Sequence, residues 1–375
     1  MVLHVPHTSL GRRGQAPGAG EIPLQRRRGR GSLSNRSGRF EAERREAADD
    51  GWEGLGSLEG LVTCVQEERA KSIVSRNASP DIGFALSINP YRGCEHGCVY
   101  CYARPTHAYL GLSAGLDFES KLFAKVNAPE LLARELASPD YAPRTIAIGT
   151  NTDAYQPIER QYRIMRRLLE VLERANHPVG IVTKSALVLR DKDILSAMAK
   201  HGLVKVALSV TTLDRKLARA MEPRASVPEK RLAALEELSD AGIPTAVMVA
   251  PIIPALNDCE IETILTRAHA AGASEAGYVV LRLPLEISDL FREWLHAHAP
   301  DRAKRVMSLI RSMRGGKDYD AGWGKRMRGQ GPYAWQIGRR FELAAKRLGL
   351  NAKSFDLRVD LFEPPALPGR QLPLF

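Results

Sequence analysis

The chain has 375 residues, is 44% hydrophobic and carries a formal charge of +11. That apolar fraction suits one large α/β domain with appendages, or two domains, and no run approaches the ~18–20 uncharged apolar residues of a membrane span. Five cysteines, three of them in one short run, do not make a disulfide framework, and they point to a reducing cytoplasm.

Residues 1 to about 60 are rich in Gly, Arg, Ser and Pro with little periodicity. Arg12 and Arg13 have no apolar run behind them, so the segment does not read as a secretory signal. Arg26-Arg27-Arg28 and Gly29-Arg30-Gly31-Ser32 read as part of a basic, largely disordered tail over 1–60, too polar to offset its ordering entropy. The charge is uneven: residues 1–50 hold ten Arg against six acids, and residues 301–350 hold thirteen Lys and Arg against four. Such basic flanks attract phosphate backbones or acidic partners, or are simply a solvated surface.

From about residue 85 short apolar runs alternate with amphipathic stretches. The strand candidates are 85–89, 145–149, 179–183, 204–210, 245–249 and 277–282. Helical segments fall between them at 160–176, 192–201, 228–241 and 260–271. This spacing predicts repeated βα units on a parallel sheet. Gly202, Gly242 and Gly272 fit helix C-terminal caps. Six units are too few for an eight-stranded barrel and suit a partial, open one. The fold class is therefore α/β, a partial open (β/α)6 barrel, with the core at 80–300 and a basic helical extension at 301–375 that ends in Pro-rich sequence.

In parallel barrels function gathers at the C-terminal ends of the strands. There stand Thr150, Asn151 and Asp153 after the second strand, Lys184 after the third, and Ser209 and Thr211 around the fourth. The first strand runs into Gly93-Cys94-Glu95-His96-Gly97-Cys98-Val99-Tyr100-Cys101-Tyr102, a C-x3-C-x2-C pattern. Three thiolates are one short of a closed zinc or iron–sulfur site. Zinc completed by His96 or His107 is one reading. Structural zinc sites, however, draw on two separated ligand pairs, and His96 would strain the loop that holds its neighbours. A 4Fe–4S cluster with one open iron fits the triplet better, with Gly93 and Gly97 supplying the sharp turns.

The triplet after the first strand, with Tyr100 before the third cysteine, resembles the signature of the radical S-adenosylmethionine (SAM) superfamily. More narrowly, Asn89-Pro90-Tyr91-Arg92-Gly93-Cys94, Cys98-Val99-Tyr100-Cys101-Tyr102-Ala103-Arg104, Thr152 through Glu159, Thr183-Lys184-Ser185 with Arg190-Asp191, and Met221-Glu222-Pro223-Arg224 resemble the spore photoproduct lyase-like branch. The resemblance covers about residues 80–290 and extends to uncharacterised bacterial members with an Arg/Gly-rich N-terminal stretch. It implies that Cys94, Cys98 and Cys101 ligate three irons of a 4Fe–4S cluster, with SAM on the fourth. It also implies reductive cleavage of SAM to a 5′-deoxyadenosyl radical and hydrogen abstraction from a substrate, driven by a one-electron reductant such as flavodoxin or ferredoxin.

Further roles follow by position. Tyr100 would lie against the adenine. Thr150, Asn151 and Asp153 would meet the methionyl amine, although the family's common Gly-Gly-Glu is absent, and Asp153 is also a candidate N-cap. Lys184 would pair with the methionyl carboxylate, Ser209 and Thr211 with the ribose hydroxyls. Arg224 would bind a carboxylate or pair with Glu222. Spore photoproduct lyase uses a further cysteine as hydrogen donor, for which only Cys64 and Cys259 remain, and both read better as small buried hydrophobes. A second function reading is nucleic-acid repair or modification through the basic C-terminal stretch, where Trp323, Tyr333 and Trp335 interleave with Lys325, Arg326, Arg328, Arg339 and Arg340. A third is a non-enzymatic cluster or zinc module that docks on RNA.

Overall fold

The computed structural model describes residues 27–41, 61–353 and 355–366. Its strands are β1 (Cys64–Glu68), β2 (Val74–Arg76), β3 (Leu86–Ile88), β4 (Tyr91–Arg92), β5 (Lys121–Lys125), β6 (Ile146–Ile148), β7 (Val179–Thr183), β8 (Val204–Ser209), β9 (Thr245–Ile252) and β10 (Glu275–Val280). Seven of them form one sheet in the order β10-β9-β8-β7-β6-β3-β2. β3 and β6 to β10 run parallel, in the six places the sequence predicts, and β2 lies antiparallel on β3. The edge strands β2 and β10 do not pair with each other, so the barrel is open. Strands covered on both faces read as short apolar runs, as Leu86, Ser87 and Ile88 of β3 show by being wholly buried.

The helices are α1 (Leu116–Ser120), α2 (Ala128–Leu136), α3 (Glu159–Tyr162), α4 (Ile164–Arg174), α5 (Lys192–Lys200), α6 (Arg215–Met221), α7 (Pro228–Asp240), α8 (Ile261–Ala270), α9 (Ile287–His298), α10 (Pro300–Ser312) and α11 (Pro332–Arg347). The helix predicted at 160–176 is split at Arg163, whose φ of 49° breaks it into α3 and α4. The Glu159 carboxylate then accepts the Met165 N–H at 3.1 Å and serves as the start signal for α4. The main apolar core lies between the sheet and its helices. A second cluster joins Cys98, Val99 and Tyr100 to Met221, Leu283, Phe291 and Trp294 and lines the upper end of the barrel.

Four features go beyond the prediction. β1, β5 and β4 form a second, three-stranded sheet that leads straight into Cys94. Residues 27–41, predicted as disordered tail, are docked on the core, with Arg30, Ser32 and Leu33 buried; the rest of 1–60 lies outside the described residues. Cys64 and Cys259 are exposed rather than buried. The C-terminal stretch forms α10 and α11, and between them residues 313–331 cross between the sheet edges. There the Val280 N–H donates to the Met327 carbonyl at 2.9 Å, while Arg326 Nε and the Gly324 N–H both reach the Asp81 carboxylate at 2.6 Å in the β2–β3 turn. Among the described residues no helix is long and apolar enough to cross a membrane.

Candidate active site

The cysteine loop sits on the rim where β3 ends. Its backbone is pinned on every side. The Cys94 N–H donates to the Phe118 carbonyl at 3.0 Å, and the buried Gln156 side chain accepts the Glu95 N–H at 2.8 Å while donating to the Gly93 carbonyl at 3.2 Å. Arg104, fully buried, donates to the Cys98 carbonyl at 2.8 Å, the Gly97 carbonyl at 3.1 Å, and the Ala114 and Gly115 carbonyls at 3.0 and 2.9 Å. Its charge is matched by the buried Glu119 carboxylate, which also accepts the Gly31 and Ser32 N–H groups at 2.9 and 2.8 Å. A buried cation that satisfies four carbonyls and one carboxylate is the arrangement that makes burying it tolerable.

Met221 at the end of α6, with Glu222 and Arg224 just beyond it, braces the same loop. The Val99 N–H donates to the Met221 carbonyl at 3.0 Å, and the Arg224 N–H to the His96 carbonyl at 3.2 Å. The buried Glu222 carboxylate accepts from Tyr100 Oη, from Thr211 Oγ1 at 2.5 Å and from Arg231. Burial alone would raise the Glu222 pKa. Arg231, then Lys184, overcome it and hold the carboxyl at about 2, fully ionised near neutrality.

The three cysteines stand on this braced loop. Cys94 and Cys98 are 7% and 8% exposed, and Cys101 is half-buried. Burial raises the Cys94 thiol well up, and Asp153, Cys98 and Cys101 add to it. Burial likewise pushes the Cys98 thiol up to about 12, with the Glu222 charge adding. Three soft sulfurs close enough to raise one another's pKa suit a cationic iron–sulfur cluster, which would convert them to thiolates on binding. The histidines of the zinc reading are engaged elsewhere: His96 Nδ1 faces Asp153 at 3.4 Å, and His107 Nε2 bonds to the Lys121 carbonyl at 2.9 Å.

The predicted rim residues divide into two groups. Asp153 organises the rim, as its oxygens accept from Thr183 Oγ1 at 2.7 Å, the Lys184 N–H at 2.8 Å and the Tyr155 N–H at 2.9 Å. Despite a burial that opposes ionisation, His96 and these donors keep its pKa below the usual carboxylate range. Lys184 Nζ lies 5.8 Å from the Tyr100 ring centroid and makes no ion pair with a described residue. The Thr150 carbonyl accepts from Tyr102 Oη, and the Asn151 N–H donates to Asn89 Oδ1 at 2.9 Å. Thr211 Oγ1 is committed to Glu222 and the Ala250 carbonyl, and Ser209 gives its carbonyl to Arg231 at 2.9 Å. Arg224 stands apart: it is exposed and pairs with Glu95 at 2.9 Å on the outer side of the loop, not with Glu222. The sequence did not single out Arg104, Glu119, Gln156 or Arg231. Of these, Arg104 and Gln156 stood inside the quoted motifs, but nothing local marked them as buried.

An open parallel barrel with three cysteines on one loop at its rim is the architecture of cluster-bearing radical enzymes. Residues 88–268 match the radical SAM superfamily model. Uncharacterized protein Rv2578c of Mycobacterium tuberculosis is 36% identical over 230 residues, covering 61% of this chain and 68% of the relative. Uncharacterized protein MJ0683 of Methanocaldococcus jannaschii is 31% identical over 192 residues, covering 51% of this chain and 69% of the relative. Spore photoproduct lyase complexed with dinucleoside spore photoproduct shares the fold with a TM-score of 0.56 at 17% identity, over 76% of this chain and 80% of that one. A spore photoproduct lyase variant with bound AdoMet and the same dinucleoside matches with a TM-score of 0.56 at 16% identity, over 79% and 86%. The chain belongs to the radical SAM superfamily and is an enzyme of that type, with a 4Fe–4S cluster and SAM as its cofactors.

Proposed function

We propose that Cys94, Cys98 and Cys101 each ligate one iron, and that the lumen side bounded by Tyr100 and Lys184 receives SAM. When bound, the cluster supplies the electron that splits SAM into methionine and a 5′-deoxyadenosyl radical, which takes a hydrogen atom from the substrate. The chain's own residues hold that site. Arg104, Gln156 and the 221–224 segment fix the loop, and the apolar cluster of Leu283, Phe291 and Trp294 keeps water from its inner side. Lys184, without an ion pair to a described residue and next to Tyr100, suits the methionyl carboxylate. Asp153 orients the β6 and β7 loops around the amine, and Asn151, whose side chain makes no hydrogen bond with a described residue, faces the same rim. Two buried sulfurs and a half-buried third, on one loop at the open end of a parallel sheet, carry this reading.

The test is anaerobic reconstitution with iron and sulfide, reduction with dithionite, and assay for 5′-deoxyadenosine. Release is expected with SAM present, and a non-enzymatic cluster module releases none. A reducing cytoplasm suits a chain whose Cys64 and Cys259 are both exposed and free.

A nucleic-acid substrate is the second reading. Trp323 and Trp335 are 65% and 71% exposed among Lys317, Lys325 and Arg328, as a stacking platform requires. Part of the predicted platform is spent on the fold, since Tyr333 Oη donates to Asp258 at 2.5 Å and Arg340 forks onto Glu262 at 2.7 and 2.8 Å. Salt-dependent retention on DNA that Trp323→Ala and Trp335→Ala weaken supports this reading, and salt-independent passage counts against it.

A further inference from the structure

We infer that the basic face made by α6 and the N-terminal strap is the docking surface for the one-electron reductant, a small acidic carrier protein bearing a flavin or an iron–sulfur centre. The inference rests on the cluster assignment above. An electron must reach the three sulfurs from outside the barrel, because the lumen side is given to SAM and substrate. With Cys94 and Cys98 only 7% and 8% exposed, no carrier touches them directly, so the wall between them and solvent matters.

That wall is thin in one direction. The strap crosses the outer side of the loop backbone to backbone: a Cβ placed on Gly31 would stand 1.9 Å from the Gly97 carbonyl oxygen. Arg30 anchors the strap through the Glu119 and Leu61 carbonyls, both at 2.6 Å, and Thr63 bridges Arg30 to Glu95. Beside it, the Met221 carbonyl holds Val99 and the Arg224 N–H holds His96, so α6 ends on the same loop. A Cβ placed on Gly29 would stand 3.9 Å from the Arg224 side chain, so strap and the end of α6 lie side by side on one surface.

That surface carries uncompensated positive charge. Arg215, Lys216 and Arg219 are exposed on α6 and Arg28 on the strap, while Arg224 at the junction is paired with Glu95. Arg215, Lys216 and Arg219 make no ion pair with a described residue. Asp214, the acid beside them, is spent as N-cap on the Lys216 and Leu217 N–H groups. Farther along the strap the pattern reverses, since Arg36 pairs with Glu293 at 2.8 Å and Arg39 with Glu286 at 2.6 Å. Cations without an ion pair to a described residue therefore gather on α6, whose C-terminal end braces the cysteine loop. Such a patch steers an acidic partner and speeds its encounter by tenfold or more at low salt. α6 holds no aromatic residue, and single-stranded nucleic acid relies on stacking as well as charge, so an acidic protein fits this face better.

The test compares two electron sources on the reconstituted full-length enzyme. Reduced flavodoxin, used as the probe, bleaches the cluster in a stopped-flow instrument at low and high ionic strength. Dithionite needs no docking. The variant is Arg215→Glu with Lys216→Glu and Arg219→Glu. It is expected to slow flavodoxin-driven bleaching at least about tenfold at low salt and to abolish its salt dependence. Iron content and dithionite-driven 5′-deoxyadenosine release should stay unchanged, and an Arg215→Lys with Arg219→Lys control should keep most of the rate. Unchanged flavodoxin kinetics overturn the inference, as does an equal loss with both reductants. Loss of DNA retention without any change in reduction overturns it too, and reassigns the face to nucleic acid. If the unsubstituted enzyme yields no 5′-deoxyadenosine with dithionite, the cluster assignment itself fails, an outcome read without flavodoxin.

Discussion

Replacing Arg231 with Met removes the charge that permits Glu222 to be buried. Arg231 is 1% exposed and donates to Glu222, to the Ser209 carbonyl at 2.9 Å and to the Ser226 carbonyl at 2.7 Å. Breaking a buried pair by removing one partner costs about 3–5 kcal/mol, because a carboxylate is left in a low-dielectric site. The two orphaned carbonyls push the cost toward the upper end of that range, since each buried group left without a partner costs about 1–3 kcal/mol. Arg231→Met with Glu222→Gln removes both charges. Gln keeps an acceptor for Tyr100 and Thr211, so the double variant should be more stable than the sum of the singles predicts, by about 1–3 kcal/mol. Guanidinium-induced unfolding of the four proteins gives the cycle, and iron bound per chain after reconstitution reports on the loop that Tyr100 anchors. If the single change costs under about 1 kcal/mol, or the two add within about 0.5 kcal/mol, Glu222 and Arg231 are not the coupled brace described above.

Cys94→Ala, Cys98→Ala or Cys101→Ala should each abolish 5′-deoxyadenosine release and lower bound iron, whereas Cys64→Ala should change neither; release surviving in Cys98→Ala contradicts the ligand assignment. Gly31→Ala forces its new methyl against the Gly97 carbonyl and should destabilise by about 1–3 kcal/mol. Gly111→Ala, with open space around a φ of 66°, should cost only about 1 kcal/mol of backbone strain, and equal urea midpoints for the two would show that the strap is not tightly docked. Burial lowers the pKa of the fully buried His177 to about 4, so below its ordinary value of 6.5 the unfolded chain takes up the proton first. Stability is therefore complete above pH 6.5 and falls as the pH drops toward 4, by on the order of 3 kcal/mol, and His177→Gln should flatten that part of the stability–pH curve.

The six parallel strands were legible because each is an apolar run bounded by turn residues and separated by helical periodicity. The three-stranded sheet was not. β4 has two residues inside the cysteine motif, and β1 alternates too weakly to stand out from loop. The strap's composition argues for disorder, and its order depends on Glu119 and Glu95, which are distant in sequence. The same long-range chemistry moved Arg224. Its nearest acid in sequence, Glu222, is taken by Arg231, which leaves Glu95 as its partner. Local pattern thus located the cysteines and the rim, while the residues that hold the loop rigid come from elements whose meeting is set by the fold.

The crossing at Asp81 and Arg326 joins groups 245 positions apart along the polypeptide. A ribosome making this chain exposes the thiol-bearing loop long before it releases the stretch that fastens one margin of the sheet to the other. Iron and sulfide can therefore reach an unfastened scaffold, and the late arrival of Arg326 secures the scaffold around them.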